Sequence, residues 1–291
     1  SHEHLIQHPT WPTEWILFSV LLAWQDYMYT GNADSIKRCY EDLVAKCLLP
    51  LGREDGLIST RTGLMTQQVL DSVHYHGKEL RDVVDWPQPS ETDGHVFTAI
   101  NTVVNAFHYR ALTLMGRIAE VAGKAKDAAK FRRRAESVYA AFNERLYDSR
   151  KGIYRDGEGT DHASLHANMF ALAFGLVDDR SKPSVVRFIK SRGMACSVYG
   201  AQFLLEALYE ADEEEAALEL MTGDGDRSWP HMINNIGTTI TLEAWDPKYK
   251  PNLDWNHAWG AAPANVIPRL LVGVEPIEPG FGKVRIKPRT A

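Results

Sequence analysis

Between Thr238 and Asn265, acids, aromatics and one histidine crowd together. Glu243 stands two residues before Trp245, and Asp254-Trp255-Asn256-His257-Ala258-Trp259 follows. A second concentration runs from Asp82 to Gly94, where Asp85, Glu91 and Asp93 share a loop with Trp86 and two prolines. Aromatic rings offer flat apolar platforms to the faces of sugar rings, and carboxylates accept from hydroxyls. Glycoside hydrolysis needs paired carboxylates. The competing reading is that the tryptophans are large core residues and the acids are caps, and composition does not separate the two.

Other chemistries lack their signatures. There is no HExxH, no P-loop, no GxGxxG and no GxSxG elbow. His162 and His166 have the spacing of metal ligands on one helix face, but no third ligand accompanies them, so they read as core or surface histidines. His74 and His76 read the same way. No metal and no cofactor is implied. Cys39, Cys47 and Cys196 include no CxxC pair and read as buried thiols.

The chain has 291 residues, 44% hydrophobic and 24% charged, enough for a substantial core. Lys and Arg total 32 against 38 Asp and Glu, a net charge of −6 that argues against a nucleic-acid partner. The basic run Lys124–Arg134 is interrupted by Asp127 and reads as a solvated helix face. No apolar run reaches the ~18 residues of a membrane span; the longest, Ile16–Trp24, ends at Gln25-Asp26. No signal peptide opens the chain, and the compartment stays unassigned.

The elements that must position these residues are mostly helical. Glu14–Tyr29 reads as a helix with Thr13 as N-cap and Gly31 as the stop, and Asp34–Leu49 as its partner. Phe97–Val121, with Ile100, Val103, Val104, Phe107, Ala111, Leu114 and Ile118 at helical spacing, pairs with Ala125–Leu146. Helices are also expected over His162–Phe174, Pro183–Lys190, Val198–Tyr209, Glu213–Met221 and Asn256–Leu271. β-Branched residues make Gly237–Trp245 look like a strand, as does Val284–Lys287 near the end. Helix, short loop, helix, longer loop is the rhythm of stacked αα-hairpins. No sequence repeat supports a helical-repeat scaffold.

Several motifs resemble the inverting α-L-rhamnosidases, whose catalytic domain is an (α/α)6 toroid. They are Ser228-Trp229-Pro230-His231-Met232-Ile233, Gly237-Thr238-Thr239-Ile240-Thr241-Leu242-Glu243-Ala244-Trp245-Asp246, Asn256-His257-Ala258-Trp259-Gly260 and Pro279-Gly280-Phe281, in the family's order. Pro12-Thr13-Glu14-Trp15, Tyr29-Thr30-Gly31-Asn32 and Asp85-Trp86-Pro87 match further segments. The resemblance implies an all-α fold: an incomplete (α/α)6 toroid over 1–272, then a short C-terminal β segment over 273–291. It implies Glu243 as general base, activating a water that attacks the anomeric carbon opposite the leaving group. It places His257 near the sugar, Trp15, Trp86 and Trp245 as apolar walls, and Asp85, Glu91 and Asp93 as hydroxyl ligands or turn caps. The family's general acid lies in an Asp-Glu-Arg-type motif ahead of the Pro12 segment, so it is expected upstream of this sequence, together with a first hairpin. The implied partner is a rhamnose-containing oligosaccharide or glycoside. An open ring exposing Ile16, Phe18, Leu21 and Leu22 is expected to self-associate. The alternatives are a non-catalytic carbohydrate-binding remnant and another (α/α)6 glycosidase.

Overall fold

The computed structural model describes residues 9–86 and 92–289. Five helices form an inner ring: α1 (Thr13–Thr30), α5 (Thr102–Val121), α7 (Leu165–Ala173), α9 (Val198–Glu210) and α12 (Ala262–Val266). Each packs on the next in that order, α1 on α5, α5 on α7, α7 on α9 and α9 on α12. Outside them lie α2 (Asp34–Arg38), α3 (Tyr40–Lys46), α4 (Gln67–Ser72), α6 (Ala125–Leu146), α8 (Lys182–Arg192) and α10 (Glu214–Thr222). A single turn, α11 (Trp229–His231), leads toward the Glu243 segment.

The core sits inside the ring. Phe18 of α1, Phe107 of α5, Phe170 and Phe174 at α7 and Phe203 of α9 meet with ring centroids 4.8–6.3 Å apart. These distances suit edge-to-face and tilted aromatic packing. Ile16 and Leu21 of α1, expected on an exposed face, are buried, and below this plug α1 and α12 border the same space. Both line a cavity of about 540 Å³ in which Leu22 and Tyr29 remain exposed.

The expected helices form, with physical adjustments at their ends. α1 starts at Thr13, whose hydroxyl turns away from the helix to donate to Asp82 at 2.9 Å. Its stop is Gly31, at φ 71°, with its N–H donating to Tyr27 O. A Cβ at Gly31 would also stand 3.1 Å from Gly280 Cα, where the C-terminal hairpin folds back. The Asp34–Leu49 helix breaks at Cys39 (φ −94°, ψ 16°). α5 and α7 begin later than periodicity suggests because Asn101 and Ser164 accept from the first free amides as caps. Asn256–Leu271 is broken into a 3₁₀ turn at Ala258–Ala261, α12, and a wide turn at Ile267–Leu271.

Gly237–Trp245 is not a strand, despite its β-branched residues. Its backbone makes individual bonds with Asp254 and His257, and among the described residues no strand pairs with it. The C-terminal expectation holds: β6 (Lys283–Ile286) pairs antiparallel with β5 (Val274–Glu278). β1 (Thr10–Pro12) pairs in parallel with β2 (Glu79–Arg81), which brings the start of α1 beside the Asp82–Trp86 loop.

That junction holds a buried acid pair. Glu14, 2% exposed, accepts from the Val83 and Val84 amides and supports Val84 at φ 67°, a costly conformation for a β-branched residue. Burial pushes the Glu14 carboxyl from 4.5 to about 8, the Asp82 charge adds to the rise, and the amides oppose it. Burial raises Asp82 as well. Between about 4.5 and about 8 the folded state therefore holds a proton that the unfolded chain releases. Its stabilisation is fully present at the acid end of that window and lost as pH rises through it, at up to about 1.4 kcal/mol per pH unit. Urea midpoints measured across this window should fall toward the alkaline side for the parent. For Glu14→Gln, which keeps an oxygen for the two amides and has no proton to lose, they should change much less.

Candidate active site

The chemistry-bearing residues gather at the N-terminal ends of the inner helices. Trp15 is near the start of α1, Tyr199 near the start of α9, and His257–Trp259 lead into α12. Their rings form a continuous wall. His257 lies 4.5 Å from Trp259, Trp259 lies 5.4 Å from Trp15 and 5.6 Å from Tyr199, and Trp15 lies 5.7 Å from Trp11. Trp86, 43% exposed, joins Glu14, Trp15 and Tyr199 around a crevice too small to admit a water.

Glu243 is built into this wall by backbone pairing. Its N–H donates to Asp254 O at 3.1 Å, and His257 N–H donates to Thr241 O at 2.9 Å, so residues 241–243 lie against 254–257. The intervening loop is fastened at its base. Trp245 is fully buried, meets Trp229 edge-on at 4.8 Å and donates from Nε1 to Cys196 O at 2.8 Å. His231 pairs with Asp246 at 2.7 Å, and Lys248 and Tyr249 both reach Asp226.

The Glu243 carboxylate is 7% exposed as a residue, and Oε2 takes the Asp254 N–H at 2.9 Å and the Lys250 ammonium at 2.9 Å. Burial raises its pKa, but Lys250, the Asp254 amide and His257 outweigh burial and hold it below the ordinary glutamate value. It is a carboxylate at neutral pH, suited to taking a proton and unsuited to giving one. His257 Nδ1 accepts from Trp259 N–H at 3.2 Å, which leaves Nε2 to carry the proton of the neutral ring and to donate.

Glu243, Asp254 and His257 bring side-chain oxygens and a ring nitrogen within 4.8 Å of one another. Lys250 already supplies a positive charge to this group, directly on the Glu243 oxygen.

Of the residues expected in the site, His257 and Trp15 lie along this one wall, Glu243 stands beside His257, and Trp86 adjoins Trp15. One expectation needs correction, and Asp85 and Asp93 take the capping rather than the hydroxyl-binding alternative. Trp245 has no exposed face, so it is an anchor rather than a sugar platform. Asp85 is 1% exposed and its oxygens are filled by His166 Nε2 at 2.6 Å, Ser197 N at 2.9 Å, the Ser197 hydroxyl and Trp86 N at 2.8 Å. It ties the Trp86 loop to α7 and α9. Asp93 accepts from Leu165 N at the start of α7 and pairs with Arg192 at 2.7 Å. Glu91 lies outside the described residues. His162 and His166 go to different carboxylates, Asp156 and Asp85.

Trp259, Tyr199 and Lys250 were missed. Trp259 had a signal, because it stands in the same short motif as His257. Tyr199 sits in an ordinary amphipathic helix, and a loop lysine is normally solvated, so nothing in the pattern singled them out.

A ring of helical hairpins with an acid and an aromatic wall at its helix N-termini is an all-α, toroid-type arrangement. The bacterial alpha-L-rhamnosidase six-hairpin glycosidase domain matches residues 4–271, and the chain belongs to that family. A curated relative, the alpha-L-rhamnosidase of Alteromonas sp. (strain LOR), is 23% identical over 298 residues, covering 93% of this chain and 29% of the relative. Among solved structures, the GH78 family rhamnosidase of Bacillus sp. GL1 superposes with a TM-score of 0.73 at 23% identity, covering 95% of this chain and 28% of that one. The Streptomyces avermitilis alpha-L-rhamnosidase, solved with L-rhamnose, gives 0.70 at 19% identity, covering 92% and 24%. The chain thus spans under a third of the length of these relatives.

Proposed function

We propose that this chain is part of an inverting α-L-rhamnosidase and carries the general-base half of its active site. The observation that carries the reading is the Glu243 carboxylate. It is ionised, held by one oxygen, and set in an aromatic wall within a motif resembling that of the family's base. In the reaction, Glu243 takes a proton from a water as the water oxygen bonds to the anomeric carbon. The glycosidic C–O bond breaks on the opposite face, and an acid protonates the leaving oxygen. His257 donates to a sugar hydroxyl. Trp15, Trp86 and Trp259 cover the apolar face and the 6-deoxy methyl group.

Asp254 does not fit the role of the acid. Its carboxyl comes within 4.8 Å of Glu243, whereas an inverting pair stands about 6.5–9.5 Å apart to admit the water. We propose that the acid is supplied from outside the described residues, either by Glu91 or by chain beyond this sequence.

Turnover of an aryl α-L-rhamnoside, compared with an aryl glucoside, tests the function. Proton NMR of the first-formed sugar tests the stereochemistry. The expected result is rhamnoside selectivity with β-rhamnose appearing first. Glucoside preference, or α-rhamnose as first product, refutes the reading. Should this chain turn over by itself, Glu91→Gln should abolish the activity.

A further inference from the structure

We propose that Lys250 is a positioning residue for the base: with the Asp254 amide it anchors Glu243 by Oε2 and leaves Oε1 as the oxygen that meets the attacking water. This rests on the reading of Glu243 as general base given above.

The geometry is specific to one oxygen. Lys250 Nζ and Asp254 N both stand 2.9 Å from Oε2. Among the described residues no hydrogen bond reaches Oε1. A carboxylate with two donors on one oxygen and none on the other cannot swing freely, and its basic lone pairs lie on the open side. The ion pair is sheltered, with the Lys250 side chain 15% and the Glu243 side chain 9% exposed, so solvent screens it less than a surface pair.

Lys250 is itself held in place. Its ammonium also donates to Asn252 O at 3.1 Å, which curls the loop back on itself. The loop is pinned on one side by Asp246 to His231 and on the other by Lys248 and Tyr249 to Asp226. An immobilised lysine loses rotamer freedom that a surface lysine keeps, a cost of up to about 2 kcal/mol. A pair formed at that cost has a reason in the charges around it. Glu243 and Asp254 are two acids in close approach beside His257. Without Lys250, only the Asp254 amide and His257 would oppose the effect of burial on Glu243, and a glutamate that becomes protonated cannot serve as base.

The charged and titratable groups facing Glu243 are thus Lys250, Asp254 and His257. Removing Lys250 leaves the other two in place, so its contribution can be read alone. The experiment follows the side-chain carboxyl carbon of Glu243 by ¹³C NMR across pH in the parent, Lys250→Met and Lys250→Arg. The signal is assigned by its loss in Glu243→Gln, and Lys250→Gln is held in reserve should the Met variant not fold. Lys250→Met should raise the Glu243 midpoint by about one pH unit, and Lys250→Arg should return most of the shift. In an active preparation the acid limb of kcat/KM should move up by the same amount, with KM little changed. A Glu243 midpoint within about 0.2 unit of the parent in Lys250→Met overturns the proposal. So does an acid limb that stays put while the midpoint moves. Glu243→Gln retaining full turnover sinks the function reading instead, whatever Lys250 does to the titration.

Discussion

Glu243→Gln should lower kcat for an aryl rhamnoside by about 10²–10⁴-fold, the usual worth of a general base. The amide keeps the size of the carboxylate and can still accept from the Asp254 N–H, so the loop geometry should survive. What it loses is the ability to take a proton from water. Rhamnose binding, which depends on the aromatic wall and His257, should remain close to that of the parent. Glu243→Ala provides a second view of the same step. Azide needs no base, so it should restore turnover in this variant and give the β-configured rhamnosyl azide. Hydrolysis within about threefold of the parent in Glu243→Gln would remove Glu243 from the base role.

The sequence showed the helices because their apolar positions recur at helical spacing over long stretches. α5 and α6 are the clearest cases, and both form. Where local preference competed with tertiary bonding, it misled. Thr238–Thr241 looks like a strand by composition, yet the segment serves to hand Glu243 and Thr241 to partners at Asp254 and His257. The Asn256–Leu271 helix was too long because Gly260 and the bond from Trp229 Nε1 to Gly260 O impose a 3₁₀ turn there. Within the candidate site, Glu243 and His257 stood out because they sit in short motifs that resemble those of the family. The acids of the Asp82–Gly94 loop were not, since a carboxylate that binds sugar and one that caps a helix have the same letter. Only the partners distinguish them, and for Asp85 these come from Ser197 and His166, far along the chain.

Asp85 therefore carries a structural prediction comparable in size to that for Glu243. The side chain is 1% exposed, its partner His166 is 1% exposed and Ser197 is fully buried. Asp85→Ala would leave the Ser197 amide and hydroxyl, the Trp86 amide and His166 Nε2 without their acceptor. Stranding one half of a buried pair costs about 3–5 kcal/mol, and each further buried donor left unpaired costs about 1–3 kcal/mol. The neighbourhood cannot collapse to compensate on the α9 side. Gly200 already stands so close that a Cβ there would lie 2.8 Å from Asp85 Oδ2 and 2.9 Å from Cys196 Cβ. Asp85→Asn should cost less, because its carbonyl keeps some of the donors satisfied while its amide faces the rest. Chemical denaturation should thus rank the parent above Asp85→Asn, and Asp85→Ala last. The Ala variant should also bind rhamnosides more weakly even where it folds, because Trp86 follows directly on the lost anchor. A loss of under about 1 kcal/mol for Asp85→Ala would mean that the loop is held chiefly by Glu14 on the Val83 and Val84 amides and by Asp82 on Thr13 and Thr60. In that case Glu14→Ala, which removes the tie nearest Trp86, should loosen Trp86 more than Asp85→Ala does.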